Sequence, residues 1–203
     1  EQPVKDFLKS EFNIKDDFKV LAAVNDGEAG FYNYAYLELT KPYRTYLSLA
    51  IDRETNLVDS KNSDQVYLEL FKDVYIEEKP EVIQVIKEII KKYGLVKYPE
   101  KFVIEDETPA YMFPYDNIEL NIYSQPLIED FKKNQKIDID ALLPKLKPSD
   151  PRRENYNSRY IGVVNFLFEF DVNKNNHSIP KAKDLIVEFQ KSGVLTKGIY
   201  SID

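Results

Sequence analysis

Val4, Phe7, Leu8 and Phe12 recur at i, i+3, i+4 and i+8 with charged residues between them. That spacing predicts an amphipathic helix over 3–12, with Pro3 tolerated in its first turn. The period then changes from 3.6 to 2. Three β-rich runs follow, FKVLAAVN, FYNYAYLEL and YRTYLSLAID, parted by Asn25-Asp26-Gly27 with Gly30 and by Lys41-Pro42. Turn residues between alternating runs predict a three-stranded antiparallel meander. Phe31, Ala35, Leu37 and Leu39 on the second strand, and Leu47, Leu49 and Ile51 on the third, make an apolar face interrupted by Asn33. Tyr32, Tyr34, Tyr36 and Tyr46, with Glu38, Arg44 and Ser48, turn the other way.

The longest helical signal runs from 62 to 95. Val66, Leu70 and Val74, with Tyr67 and Phe71, form one stripe behind an N-cap at Asn62 or Ser63. Val82, Val85, Ile86, Ile89, Ile90 and Tyr93 form a second, with Pro80 at its first turn and Gly94 after its last. Two consecutive helices joined near 77–80 are expected. The stretch 96–117 is irregular, with Pro99, Pro109 and Pro114, and allows a short strand at 101–104. Beyond it the pattern predicts a strand at 118–124 and two short helices, PLIEDFKKNQ and DIDALLPKL. DPRRENYNSR reads as a polar loop. YIGVVNFLFEFDV is apolar on both faces, which marks a central strand. SIPKAKDLIVEFQKSG predicts a helix with Ser178 as N-cap and Gly193 as stop, turning Ile186, Val187 and Phe189 inward. KGIYSI then closes as a strand that pairs into the sheet.

These elements define an α+β fold, an antiparallel β-sheet with helices packed mainly on one face. One domain over 1–203 is expected, with 96–117 as the place for any subdomain boundary. At 203 residues a chain buries roughly 70% of its unfolded surface, enough for a true core.

Composition narrows the chemistry. The formal net charge is −7 and the pI near 5.0, which disfavours nucleic acid and anionic membrane as partners. There is no cysteine, so disulfides, thiolate catalysis and Cys-ligated metals are excluded. No run of about 18 apolar residues exists to span a bilayer. His177 is the single histidine, in a polar segment without a nucleophile elbow, so a Ser–His–Asp triad and a multi-His metal site are not supported. Asp171, Asn173 and Asn175 resemble the start of a calcium loop. Asn176 replaces its glycine and Ala182 its bidentate glutamate, so no calcium is expected. Glu105, Asp106 and Glu107, and Asp138 with Asp140, supply carboxylates for a hydrolase of the glycosidase type, without a spacing that fixes one. Arg152-Arg153 offers an anion clamp. No cofactor or metal ligand set is assigned.

The candidate surface is therefore Tyr32, Tyr34, Tyr36 and Tyr46 with Arg44. Tyrosine brings large contact area, little rotamer entropy and a hydroxyl. Two readings compete: a recognition face, or rings covered by the helices of 63–94. Burial of at least two rings under helix is the expectation, because those wide apolar stripes need a partner.

VKDFLKSEF, the segment AVNDGEAGFYNYAYLELTKPYRTYLSLAIDRETNLV and the ending NFLFEFDV…PKAKDLIVEFQKSGVLTKGIYSI resemble a family of uncharacterised lipoproteins of staphylococci and related bacilli. The resemblance implies a non-enzymatic, extracytoplasmic binding or structural protein, anchored at the cell surface by an N-terminal lipid. Its partner would be a protein or a cell-envelope component. A soluble intracellular interaction or immunity-type protein is the alternative, and a carboxylate-dependent hydrolase the third reading.

Overall fold

The structure, a computed structural model, describes residues 1–25, 30–104, 111–122, 125–147, 162–174 and 177–203. It has the α+β class expected. The chain divides into two compact units, 1–74 with 123–138 and 75–122 with 139–203. The divisions fall within a helix and at two later points.

In the first unit, α1 (Gln2–Phe12) starts with proline in its first turn and stops at Asn13, whose left-handed φ of 57° ends the helix. Its i, i+3, i+4 residues Val4, Phe7, Leu8 and Phe12 are buried, as their spacing requires. Strands β1 (Phe18–Asn25), β2 (Tyr32–Leu39) and β3 (Thr45–Asp52) form an antiparallel sheet in that order. The register shifts between Val20 and Ala22, a bulge in the edge strand. Lys41-Pro42 is a cis peptide in the turn between β2 and β3.

Helix α2 (Asn62–Glu78) gives its first part to this unit, and α4 (Gln125–Asn134) completes it. Asn62 does not serve as a side-chain cap, since its Oδ1 accepts the Ala50 N–H at 3.1 Å. Aromatic rings from three helices and the turn meet at Phe131. Phe12 of α1 lies 6.3 Å from it, Tyr67 of α2 6.4 Å, and Tyr43 6.4 Å. Edge-to-face and tilted packing of this kind favours rings beyond their buried area. The Tyr43 hydroxyl accepts the Ile137 N–H at 2.9 Å, tying the segment after α4 to the turn before β3.

The second unit begins with the end of α2 and with α3 (Pro80–Tyr93), whose Gly94 adopts φ 64° as a left-handed cap. Short strands β4 (Val103–Ile104) and β5 (Tyr111–Met112) pair antiparallel. A separate mixed sheet has the order β6–β7–β8, with β6 (Ile118–Ile122), β7 (Gly162–Phe166) and β8 (Tyr200–Ile202). The two short helices expected after β6 are α4 and α5 (Ile139–Leu142), the latter running on into a 3₁₀ turn at 143–145.

Several expectations are corrected in this unit. β8 pairs with β7 in parallel, while the other ladders among the described residues are antiparallel. β7 is central and runs to Phe166; beyond it the Leu167 and Phe168 N–H groups still bond to Asn117 O and Asp203 O, the residues next to β6 and β8. α6 (Ala182–Ser192) starts four residues after Ser178; its first turn is closed by the Asp184 carboxylate accepting the Lys181 N–H at 3.1 Å. Leu185 and Phe189, four apart, are the buried face of α6. Ile186 and Val187 flank that face and remain exposed. Phe189 is held in a stack with Phe166 at 4.8 Å, and Tyr200 stacks on Phe166 at 6.0 Å.

Candidate functional site

The tyrosine row is built by the register of the first sheet. Tyr32, Tyr34 and Tyr36 occupy alternate positions of the central strand, about 6.8 Å apart along it. Across the sheet Tyr36 faces Ala22 on β1 and Ser48 on β3, while Tyr34 faces Val24 and Ala50. Flanking residues of small or modest size leave lateral room for rings on the central strand. Tyr46 pairs with Glu38 and is thus a diagonal neighbour of Tyr36. The sequence pattern brings these four residues to one face, and the structure keeps them there, each half-buried.

The opposite face holds Ala35, Leu37, Leu39, Thr45, Leu47 and Leu49, all buried. Asp73 of α2 faces Thr45, so α2 packs on this leucine face. The covering of the tyrosines expected from α2 is corrected accordingly: the apolar stripe of α2 is spent on the leucines. Phe31 is also corrected. It precedes β2 and is 70% exposed, and its carbonyl accepts the Arg53 N–H at 3.0 Å.

Electrostatics fix the polar rim. The Tyr32 hydroxyl donates to Asp59 Oδ2 at 3.3 Å, and the Asp59 charge raises the tyrosine's pKa. Arg44 donates from Nε to Glu38 Oε1 at 2.6 Å and from a terminal nitrogen to the Tyr46 hydroxyl at 3.1 Å. Its guanidinium carbon also lies 5.8 Å from the Tyr46 ring centroid, within cation–π range. Arg44 is thus ordered against the row by Glu38 while two thirds of its side chain stays exposed.

The other candidates do not assemble. Asp171 Oδ1 accepts the N–H of Asn173 at 2.9 Å, which lowers the carboxyl's pKa and uses it in its own turn. Asn175 and Asn176 lie outside the described residues, as do Glu105, Asp106, Glu107, Arg152 and Arg153. Asp140 accepts from Lys79 Nζ at 2.6 Å, a pairing that serves the start of α3. Among the described residues no three of His, Asp and Glu come together as a metal site, and no helix is long and apolar enough to cross a membrane.

Sequence reasoning missed one polar cluster. In the first unit, Lys72 is buried and paired with Glu69 at 2.6 Å. Beside them the Asp73 carboxyl is pushed up to about 7 by loss of hydration. The Thr45 hydroxyl is near enough to temper that rise, yet its geometry leaves the buried oxygen without a hydrogen bond. The signal was present: Asp73 stands seven residues after Val66 and three after Leu70, on the apolar stripe itself. No protein family, curated protein or solved structure matches the chain.

Proposed function

We propose that this chain is a non-enzymatic binding protein of the cell exterior, anchored by an N-terminal lipid, whose contact surface is Tyr32, Tyr34, Tyr36, Tyr46 and Arg44. Its partner is a protein or a cell-envelope component. The observation that carries the reading is the tyrosine row on a face opposite the leucine core. Two of its members are held before any partner arrives, Tyr32 by Asp59 and Tyr46 by Arg44. Aromatic groups fixed in this way lose little freedom on association, which favours affinity. The exterior location is supported by the resemblance of the two ends of the chain to lipoproteins.

The test has two arms. Protease treatment of intact cells expressing the full-length protein with a C-terminal tag should remove the tag; complete protection would refute the location. Purified protein should sediment with isolated cell envelopes. Tyr34→Ala with Tyr36→Ala should weaken that binding about tenfold or more, as loss of central aromatic contacts does. Unchanged binding by a folded double variant would remove the surface from consideration.

A further inference from the structure

In the second unit, α3 turns Ile83, Ile86 and Ile90 toward a cavity of about 20 Å³ that Asn117 also lines. Asn117 ends the turn before β6, and its carbonyl accepts the Leu167 N–H at 2.9 Å, which holds the backbone in place. The residue is 3% exposed. Its Nδ2 has no hydrogen-bond partner among the described residues. A buried donor left in this condition is costly, so it favours any group that can accept from it. A site for one water-sized group needs only about 10–15 Å³, so the cavity that Asn117 lines accommodates one such group.

The lining decides what kind of group it takes. Lys87 Nζ lies 2.8 Å from Glu100 Oε1 and 6.0 Å from the Tyr115 ring centroid. The Tyr115 hydroxyl donates to the same carboxylate at 3.4 Å. Lys97 also lines the cavity and acts on the same carboxylate, so the rim carries two cations around one carboxylate. Three isoleucines behind them make an ion costly. Inside that rim the Asn117 N–H is a neutral donor, and the apolar backing favours a neutral acceptor for it. Tyr98, also in the lining, donates its hydroxyl to Glu169 and leaves that role to Asn117.

We propose that this slot is a binding site for a single neutral oxygen acceptor, hydrogen-bonded to Asn117 Nδ2 and backed by Ile83, Ile86 and Ile90. The oxygen comes from a long-lived water or from the hydroxyl or carbonyl tip of a small alcohol or ketone. The site is independent of the tyrosine surface, because its residues all belong to the second unit.

The experiment is solution NMR on the whole chain, with the Asn117 side-chain amide and the isoleucine methyls assigned. Without additive, a cross-relaxation peak between the Asn117 amide protons and water assigns the oxygen to solvent and upholds the site. Titration with ethanol and with acetone gives the other arm. Saturable shifts of the Asn117 amide together with the Ile83 and Ile86 methyls assign it to an organic group and equally uphold it. Ile90→Phe fills the slot from its less buried side and should abolish whichever signal is seen while the remaining spectrum stays dispersed. Absence of both signals in the unaltered protein overturns the proposal, as does their survival in folded Ile90→Phe.

Discussion

Asp73→Asn tests the buried cluster against the leucine face directly. In the folded chain the Asp73 carboxyl titrates near 7 rather than at its ordinary 3.8, chiefly through lost hydration, with the Glu69 charge adding to the rise. Lys72 and Thr45 act the other way. The folded state therefore binds a proton that the unfolded state has released between those two values. Stability from this group is fully present below about pH 4, is lost as pH rises toward 7, and stays low above it. The interval corresponds to roughly 4 kcal/mol if the carboxyl were wholly shielded. Asp73 keeps part of its surface in solvent, so about 1–3 kcal/mol is the expected effect.

Asparagine keeps the shape and never ionises. Asp73→Asn should thus be stabilising by about 1–3 kcal/mol at pH 8 and near neutral at pH 4.5. For a chain of this size that is a rise in Tm of about 2–4 °C per kcal/mol at the higher pH. Urea titrations at half-unit pH steps from 4 to 8 check it. The carboxylates Asp52, Asp171, Glu100 and Glu188 have lowered pKa values, so their contribution disappears only as pH falls below the ordinary carboxylate range. That window lies below the one for Asp73. Equal destabilisation by Asp73→Asn at pH 5 and pH 8, or a parent profile that rises from pH 4 to 7, would refute the reasoning.

Phe131→Ala removes the ring on which Phe12, Tyr43 and Tyr67 converge and should cost about 3–5 kcal/mol in denaturant unfolding, with loss of tyrosine near-UV dichroism. Gly198→Ala would set a Cβ 3.1 Å from Cε2 and the hydroxyl oxygen of Tyr200, pressing that ring off Phe166. A loss of about 1–3 kcal/mol is expected, and Tyr200→Ala in the same background should remove the added penalty of the methyl.

Local pattern was enough for the elements whose partners lie close along the chain. The i, i+3, i+4 spacing of Val4, Phe7, Leu8 and Phe12 specified α1, and alternation around Leu37 and Leu47 specified the β2–β3 ladder and its two faces. Pro80 and Gly94 marked the ends of α3 through backbone constraints that each residue carries itself. Tertiary structure decided the rest. Periodicity could say that α2 and the sheet each had an apolar face, but not that α2 would take the leucines and leave the tyrosine row half-buried. The parallel pairing of β8 with β7 joins segments separated by α6, and no short-range signal encodes that direction. Ile186 and Val187 read as core from hydrophobicity alone, yet the stack of Phe189 on Phe166 fixed which side of α6 turned inward. Asp73 and Asn117 acquired their character in the same way. Hydration and hydrogen-bond partners depend on what distant residues remove or supply, so an ordinary carboxyl and an ordinary amide become a raised acid and an unanswered donor only in the fold.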